Sequence, residues 1–506
     1  MANPLFDALF APLQGKTASL LILPGGQDIT ADAFHSLICR IANTLYANGI
    51  MPGDRIAAQI AKSPEGLALY GACTALGAVF LPLNPAYIDA ELAYFIADAT
   101  PSLLVCDAAR AKTIAALTPQ TALFTLNADG SGSLTGAAKT ALATFTPTPR
   151  APGDLAALLY TSGTTGRSKG AMLTHQNLLS NAQTLAQLWQ FTAKDTLLHA
   201  LPIFHTHGLF TATNVALMAR AEMIFLPNFH PDTTLAHFPR ATVMMGVPTF
   251  YTRLLEDPRF TQAAAAHMRL FISGSAPLLA DTHREFEART GQKILERYGM
   301  TETNMNTSNP YLGVRRAGTV GMALPGIEVK ITENGETLRP GETGMIEVRG
   351  PNVFKGYWNM PEKTREELRP DGFFITGDLG MFDADGYLHI VGRQKDLIIS
   401  GGFNIYPKEV ELLLDAIPGV AESAVIGLPH PDFGEAVFAV LTATPGAVLK
   451  VDQVLKSLHT SLARFKHPKA AVVVADLPRN AMGKVQKNVL RAEYAGWFGG
   501  GGDFSG

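Results

Sequence analysis

A loop rich in glycine, serine and threonine, residues 161–170, constrains this chain more than any other stretch. An apolar run at 155–160 predicts a buried strand before it, and residues 171–179 have helical spacing after it. Such a loop suits an anion, because glycines let backbone N–H groups approach a phosphate, hydroxyls donate hydrogen bonds and Lys169 supplies charge. The Walker A order is absent, and the hydrophobic flanks disfavour the alternative of a flexible linker. The loop therefore predicts a phosphate site.

Composition limits the classes of protein to which the chain can belong. At 506 residues it is too long for one core and should form two or more domains. Its residues are 47% apolar and 17% charged, as in an ordinary globular protein. A net charge of −3 provides no field that attracts nucleic acid or an anionic membrane, so neither is an expected partner.

Cysteine usage and the apolar runs indicate the compartment. Cys39, Cys73 and Cys106 lie in apolar stretches without C-x-x-C spacing, which predicts small buried side chains in a reducing environment. The first residues lack the basic start of a signal peptide. Residues 67–83 form the most apolar run, but glycines and Pro82 divide it into a helix, a turn and a strand. A soluble, cytoplasmic protein is the expectation.

The order of predicted elements indicates an α/β fold. Short apolar strands are predicted at 55–60, 78–81, 196–201, 223–226, 243–247 and 270–273, and helices at 31–48, 65–76 and 248–255. This alternation favours parallel sheets covered by helices. Residues 318–391 have the short alternating strands of a small antiparallel barrel or sheet. A compact α+β unit is predicted from about residue 396, followed by a disordered glycine-rich tail at 499–506.

Three further segments carry candidate chemistry. Glu302, in the segment 298–303, places a carboxylate where Mg²⁺ would need a hard oxygen ligand, although a helix N-terminus with Thr301 as its cap explains the segment equally well. Asp378 lies in a glycine-flanked turn that suits a ribose diol, and a plain β-turn is the alternative. Lys484 follows a glycine near the C-terminus, where lysines are usually only solvated.

Taken together, the motifs resemble the adenylate-forming superfamily of acyl-CoA synthetases, luciferases and peptide-synthetase adenylation domains. The segments that carry the resemblance are 161–170, 298–302, 376–378, 392–396 and 478–484, and the match runs from about residue 28 to 490. It implies an α/β protein with an N-terminal domain (1–394) of two helix-covered, mostly parallel sheets and a small β-barrel, and a small mobile α+β domain (395–498). It also implies an acid–thiol ligase, which forms an acyl-adenylate and pyrophosphate from ATP and then acylates coenzyme A.

The resemblance also implies roles for individual residues. Lys484 would bridge the carboxylate and the α-phosphate, and Glu302 would hold Mg²⁺ with help from Thr301. The residues implied for ATP binding are Thr161, Ser162, Gly163, Thr164, Thr165, Gly166, Lys169, Ser275, Ala276, Pro277, Glu296, Arg297, Tyr298, Thr301, Asp378, Arg393 and Lys484, of which Thr161 and Lys169 are also implied in catalysis. The small domain would rotate about Lys395, so that Ser400, Gly401, Gly402 and Phe403 line the coenzyme A tunnel.

The acid is indicated by the segments that border the acyl pocket. The strand end at 202–209 lacks the aspartate that holds a substrate amine in peptide synthetases, which disfavours amino acids. Arg253 lies in an apolar segment and needs an anionic partner, either a neighbouring acid or a second carboxylate of the substrate. The combination of pocket segments resembles malonyl-CoA synthetases. Residues implied for the acid are Arg253, Ser275, His207, Thr206 and Met305.

Alternatives remain at this point. The same pocket suits methylmalonate as a second acid, since one methyl group changes selectivity modestly. An acetate or propionate ligase with a structural Arg253 is the competing enzyme, and a non-catalytic nucleotide-binding relative is disfavoured because Lys484 is present. Since Lys484 must lie on an exposed loop, a lysine-modifying enzyme that acylates it and removes its charge is a candidate partner.

Overall fold

A computed structural model describes residues 2–161, 168–400, 403–480 and 483–498. The implied ligands Ser162, Gly163, Thr164, Thr165, Gly166, Gly401 and Gly402, and the predicted tail 499–506, lie outside these ranges. By compactness the chain divides into two units. Unit 1 comprises residues 1–329 and 348–375, and unit 2 comprises 330–347 and 376–506. The boundary predicted at 394/395 separates an N-terminal domain from a C-terminal domain that rotates. Division by compactness does not test such a rotation, so this boundary stays a prediction.

Helices and strands follow one another along most of the chain. The α-helices are α1 Pro4–Leu9, α2 Ala31–Ala47, α3 Pro64–Leu76, α4 Asp89–Ala99, α5 Ala111–Leu117, α6 Ser133–Ala138, α7 His175–Leu188, α8 Asn214–Ala219, α9 Pro231–His237, α10 Pro248–Leu255, α11 Gln262–Ala265, α12 Ala280–Thr290, α13 Pro361–Glu367, α14 Pro407–Asp415, α15 Val451–Ser457 and α16 Lys487–Glu493. A π-helical turn, His207–Thr213, precedes α8, and short 3₁₀ turns lie at Ala11–Leu13, Ala108–Arg110, Phe238–Arg240, Gln394–Asp396, Leu458–Thr460 and Arg464–Lys466.

The strands are short and mostly buried. They are β1 Ser19–Ile22, β2 Asp28–Thr30, β3 Arg55–Gln59, β4 Val79–Pro82, β5 Leu103–Cys106, β6 Ala122–Thr125, β7 Leu155–Thr161, β8 Lys169–Thr174, β9 Thr196–His199, β10 Glu222–Phe225, β11 Val243–Gly246, β12 Leu270–Ser273, β13 Leu295–Met300, β14 Asn304–Ser308, β15 Met322–Ala323, β16 Glu328–Glu333, β17 Glu336–Thr337, β18 Gly344–Arg349, β19 Phe374–Phe382, β20 Leu388–Arg393, β21 Ile398–Ser400, β22 Phe403–Ile405, β23 Val420–His430, β24 Gly434–Ala443 and β25 Ala470–Val474.

Unit 1 contains the two mostly parallel sheets that the sequence predicts. The nine-stranded sheet has the order β15-β14-β13-β12-β11-β9-β10-β1-β2, and its run from β1 to β13 is parallel. The six-stranded sheet has the order β6-β5-β3-β4-β7-β8, with only the β7–β8 pair antiparallel. Strands β3, β4 and β12 are buried over nearly all of their length, as is typical of parallel sheets that are covered on both faces.

Most of unit 2 is built on two five-stranded sheets. The first has the order β17-β16-β18-β19-β20 and corresponds to the predicted barrel; its strands begin at residue 328, within the range 318–391. The second has the order β22-β21-β24-β23, with β25 added parallel to β24. Helix α14 packs its apolar face, including Val410 and Leu414, into the core of this second sheet.

One element prediction near the phosphate loop is wrong. Residues 171–174 belong to strand β8, which pairs antiparallel with β7, and the helix begins only at His175. Thr174 ends the strand and caps the helix, because its hydroxyl accepts from the Asn177 N–H while Asn177 Oδ1 accepts from the Thr174 N–H. The loop therefore joins two antiparallel strands rather than a strand and a helix.

The apolar run and the cysteines match expectation. Residues 67–83 form part of α3, a turn at Gly77 with φ +77°, and β4. All three cysteines are free and buried, and burial raises the pKa of each thiol. Within the described ranges, no helix is long and apolar enough to span a bilayer.

Candidate active site

The phosphate loop emerges from the end of β7 and returns at the start of β8. Thr161 and Lys169 are directly opposed across this strand pair, so both ends of the loop are held in the sheet. The Thr161 hydroxyl lies 3.4 Å from Oε1 of Glu302, which follows β13 in the neighbouring sheet. A residue implied for ATP binding and the implied Mg²⁺ ligand, 141 positions apart in the chain, are thus adjacent.

Lys169 is buried in a polar network that the sequence did not reveal. Its Nζ donates to both carboxylate oxygens of Glu367, at 3.1 and 3.2 Å, and to the hydroxyl of Tyr357 at 3.1 Å. The Tyr357 hydroxyl in turn lies 2.6 Å from Glu367 and 3.1 Å from Glu302. Burial, together with these two carboxylates, raises the pKa of Tyr357, so it is a permanent donor. The network links the loop lysine to the predicted metal ligand.

The oxygen ligands at this end suit Mg²⁺. Glu302 is 4% exposed, and its carboxylate and the Thr161 hydroxyl are the hard oxygen donors that the ion prefers. In the described parts of the chain, no three His, Cys, Asp or Glu side chains form a metal cage. An ion here would therefore take its remaining ligands from nucleotide phosphates and water, as Mg²⁺ commonly does.

A second group of residues lies at the carboxyl ends of β9, β12 and β13. The π-helical turn presents His207, whose Nδ1 lies 3.1 Å from the hydroxyl of Ser275. Ser275 has a left-handed φ of +76°, a strained conformation for a non-glycine residue. Thr206 is buried, and its hydroxyl has no hydrogen-bond partner among the described residues. Met305 is buried on β14, its backbone held by the Asn181 amide. We call Thr206, His207 and Ser275 the acid wall.

Arg297, on β13, adds a buried positive charge beside the acid wall. It is 3% exposed, and its Nε and Nη2 have no hydrogen-bond partner within the described ranges. Burial lowers its pKa to about 9, and burial together with this guanidinium lowers the pKa of His205 to about 4 and that of His207 well below its usual range. A Cβ on Gly274 would lie 2.3 Å from Arg297 Cζ, so the guanidinium rests against that glycine. A buried guanidinium without an anionic partner is energetically unfavourable, and a bound anion would supply the missing charge and hydrogen-bond acceptors.

The environment of Arg253 differs from the one predicted. Its side chain is exposed on α10 rather than enclosed in an apolar segment, because it projects from the face opposite to the buried Tyr251 and Leu254. The argument that burial forces an anionic partner on Arg253 is therefore wrong. Asp257, an acid close to Arg253 in the sequence, pairs with Arg259. Arg284, a second arginine near this part of the sheet in sequence, is solvated on α12 and pairs with Asp281.

Several residues implied for ATP binding lie at the carboxyl ends of β12 and β13 in the nine-stranded sheet. Ser275 and Ala276 are partly buried and Pro277 is exposed, in the turn after β12, and Tyr298 is partly buried on β13. The buried carboxylate of Glu296 lies 3.3 Å from His283 Nδ1, and burial raises its pKa. The backbone at Glu296 is thus near these strand ends, whereas its carboxylate contacts His283.

Unit 2 brings together the residues predicted for ribose and for catalysis. Asp378 and Arg393 are opposed on β19 and β20, with Arg393 Nε 2.8 Å from Asp378 Oδ1. Burial, followed by the charge of Arg393, lowers the pKa of Lys484 to about 8, while Asp378 opposes the shift. Asp396, beside Lys395, pairs with Arg491 of α16 at 2.8 Å. Lys484 is only partly exposed here, so the expectation that it lies on an exposed loop is wrong for this conformation.

The described part of the predicted coenzyme A segment is a β-hairpin. Ser400 is buried and pairs with Phe403, which is 54% exposed and stacks on Phe465 with ring centroids 4.6 Å apart. An exposed aromatic surface is compatible with a ligand-facing role.

Comparisons with known proteins agree with this geometry. The AMP-binding enzyme family matches residues 12–358, and the AMP-binding enzyme C-terminal domain matches residues 409–484. The feruloyl-CoA synthase of Amycolatopsis sp is 37% identical over 475 residues, 93% of this chain and 95% of that protein. The malonate–CoA ligase of Arabidopsis thaliana is 36% identical over 88% of this chain and 78% of that protein.

Among solved structures, ATP-bound MatB from Rhodopseudomonas palustris is similar with a TM-score of 0.97 and 57% identity, covering 98% of this chain and 100% of that one. The fold expectation is confirmed by this match. Both the sequence and the structure comparisons thus include ligases over nearly the whole chain. The chain therefore belongs to the AMP-binding, adenylate-forming enzymes, close to the malonyl-CoA synthetases, and is an acid–thiol ligase that uses ATP, coenzyme A and a carboxylic acid.

Proposed function

We propose that the acid is malonate, with methylmalonate as a second substrate, and that the products are malonyl-CoA, AMP and pyrophosphate. The observation that carries this proposal is the buried guanidinium of Arg297, which has unpaired N–H groups beside the acid wall. A monocarboxylate places its single carboxylate at the reacting phosphorus and leaves such a guanidinium uncompensated. A dicarboxylate supplies the missing anion, and charge-assisted hydrogen bonds of this kind are strong.

The distal carboxylate is proposed to contact Arg297 and Ser275, with His207 orienting the Ser275 hydroxyl across their 3.1 Å contact. Thr206 and Met305 limit the bulk at C2 of the acid, because both side chains are buried. Arg253, exposed on α10, is proposed to attract the dianionic substrate and to close over it. In support of a small diacid, malonate–CoA ligases are among the relatives, although feruloyl-CoA synthases are too.

Activation of the acid needs charge neutralisation at the α-phosphate. Glu302 is proposed to hold Mg²⁺, with Thr161 and Thr301 nearby, and the ion supplies Lewis-acid stabilisation of the phosphate charge when bound. Lys169 and the loop residues Ser162, Gly163, Thr164, Thr165 and Gly166 are proposed to hold the pyrophosphate end. Tyr298, Ala276 and Pro277, with the backbone of Glu296, are proposed to border adenine.

Unit 2 is proposed to complete both half-reactions. Asp378 and Arg393 would hold the ribose hydroxyls, and Lys484 would donate to the acid and the α-phosphate as negative charge develops. Rotation about Lys395 would then bring Ser400, Gly401, Gly402 and Phe403 to the coenzyme A tunnel. Acylation of Lys484 would remove its charge and stop adenylation. Intact-protein and peptide mass spectrometry of cell-derived enzyme tests this, and unmodified Lys484 under all growth conditions would count against it.

The proposal is tested by AMP formation with ATP, Mg²⁺ and coenzyme A across acetate, propionate, malonate, methylmalonate and succinate. Wild type is compared with Arg253→Ala and Arg297→Met, and Arg284→Ala serves as the matched control because Arg284 is solvated on α12. We expect malonate to be preferred and the preference to collapse in Arg297→Met. Preference for acetate or propionate that neither variant changes would leave an acyl-CoA ligase but reject malonate.

A further inference from the structure

Lys62 is a partly buried lysine that none of the motifs includes. It follows β3 of the six-stranded sheet, and its Nζ reaches across to the end of β9 in the nine-stranded sheet. There it lies 2.7 Å from the carbonyl of His199, 2.9 Å from the carbonyl of Leu201 and 2.9 Å from His199 Nδ1. The ammonium also lies 4.3 Å from the ring centre of Phe225. This lysine therefore joins the two sheets of unit 1.

The partners of His199 determine which ring nitrogen carries the proton. His199 Nε2 lies 3.0 Å from the carbonyl of Gly208 and 3.0 Å from the Thr213 hydroxyl, which itself donates to that carbonyl. A carbonyl only accepts, so Nε2 must carry the hydrogen and Nδ1 is the acceptor. Lys62 then donates three hydrogen bonds, two to carbonyls and one to Nδ1. With this tautomer the hydrogen bonds run in one direction, from Lys62 through His199 to Gly208.

This chain of hydrogen bonds ends on the turn that carries the acid wall. Gly208 and Thr213 belong to the π-helical turn that begins with His207. The turn packs closely against the segment that follows β9, whose carbonyls at His199 and Leu201 accept from Lys62. The packing is tight, because a Cβ on Gly208 would lie 1.9 Å from the carbonyl oxygen of Pro202. Lys62 thus secures both sides of a tight backbone contact, next to the His207–Ser275 pair.

We propose that Lys62 is a positioning residue for acid recognition, which acts through His199 on the π-helical turn and thereby sets the acid wall. The location of the wall rests on the proposed function. Lys62 touches neither the acid nor ATP in this scheme, and its effect reaches the π-helical turn through the imidazole of His199. The consequence is a residue that controls affinity for the acid without contacting it.

The test compares Lys62→Met with Lys112→Met, a lysine exposed on α5, using whichever acid wild type turns over best. We expect Lys62→Met to raise KM for the acid about tenfold while KM for ATP changes by less than about twofold, because the hydrogen bonds of Lys62 to His199 and Leu201 are lost on the acid side only. Lys112→Met should leave both constants unchanged. Equal changes in the two KM values, or a fall in kcat alone, would overturn the proposal.

A second pair of variants tests the route through His199 and does not depend on Lys62→Met folding. His199→Gln keeps one acceptor for Lys62 and one donor for Gly208, whereas His199→Phe keeps only the ring. We expect the glutamine variant to retain an acid KM closer to wild type than the phenylalanine variant. Indistinguishable KM values for the two variants would reject the hydrogen-bonded route. If the preferred acid is not malonate but these differences hold, the proposed substrate fails and the role of Lys62 stands.

Discussion

Replacement of Gly274 by alanine tests the position of the Arg297 guanidinium without removing its charge. A Cβ at residue 274 would lie 2.3, 2.5 and 2.6 Å from Cζ, Nη1 and Nε of Arg297. Ordinary van der Waals contact begins at 3.4 Å, so the guanidinium must retreat by roughly 1 Å. The φ of Gly274 lies outside the left-handed region, and alanine can adopt its backbone conformation. The substitution therefore moves the end of a side chain rather than the sheet.

The expected cost divides between stability and binding. Inserting one methyl group into a packed site should lower the free energy of unfolding by about 1–3 kcal/mol, measured by urea denaturation. A displacement of about 1 Å should reduce kcat/KM for malonate about 100-fold, because hydrogen bonds to the distal carboxylate are then misaligned. Acetate has no distal carboxylate, so its kcat/KM should change by less than about threefold on the same reasoning.

Gly136→Ala is the matched control. A Cβ there meets no atom within 4 Å, and the residue lies in helix α6, where alanine is favoured by about 1 kcal/mol. We expect its activity with every acid to equal that of wild type. If Gly274→Ala reduces turnover of malonate and acetate by the same factor, Arg297 does not read the second carboxylate and the reasoning is refuted.

Three further changes follow from the described contacts. Protonated Lys484 is proposed to stabilise the reacting phosphate, and burial lowers the pKa of Lys484 to about 8. Adenylation measured by pyrophosphate exchange should therefore fall as pH rises through about 8, and Lys484→Arg should abolish that fall. An unchanged pH profile in the variant would exclude Lys484 as the titrating group. Glu367→Gln should lower the free energy of unfolding of unit 1 by about 1–3 kcal/mol in chemical denaturation, because Lys169 loses the carboxylate that pairs with it. A decrease of less than about 0.5 kcal/mol would contradict this prediction. Gly208→Ala should lower the melting temperature more than Gly274→Ala, because the new Cβ at residue 208 meets the Pro202 backbone rather than a movable side chain. The reverse order of melting temperatures in calorimetry would contradict the tight backbone contact between Gly208 and Pro202.

Local patterns predicted most elements near the site correctly. Strands at 55–60 and 270–273 and helices at 31–48 and 65–76 agree with the structure within a few residues. Their apolar runs and caps act locally, as when the Ser63 hydroxyl accepts from the Gly66 N–H at the start of α3. The error at 171–179 has a non-local cause, because pairing with β7 overrides the helical spacing of four residues.

The sequence by itself determined the residue types and the order of the motifs, which predict a phosphate site, and the resemblance of those motifs to the adenylate-forming superfamily implied the reaction class. Only the tertiary structure decided which side chains meet. Lys169 contacts Glu367, which is 198 positions away in the chain, and Lys62 contacts His199, which is 137 positions away. The guanidinium of Arg297 is buried, whereas that of Arg253 is exposed. Such pairings depend on how the strands order within the two sheets, and burial is a property of that packing rather than of neighbouring residue types.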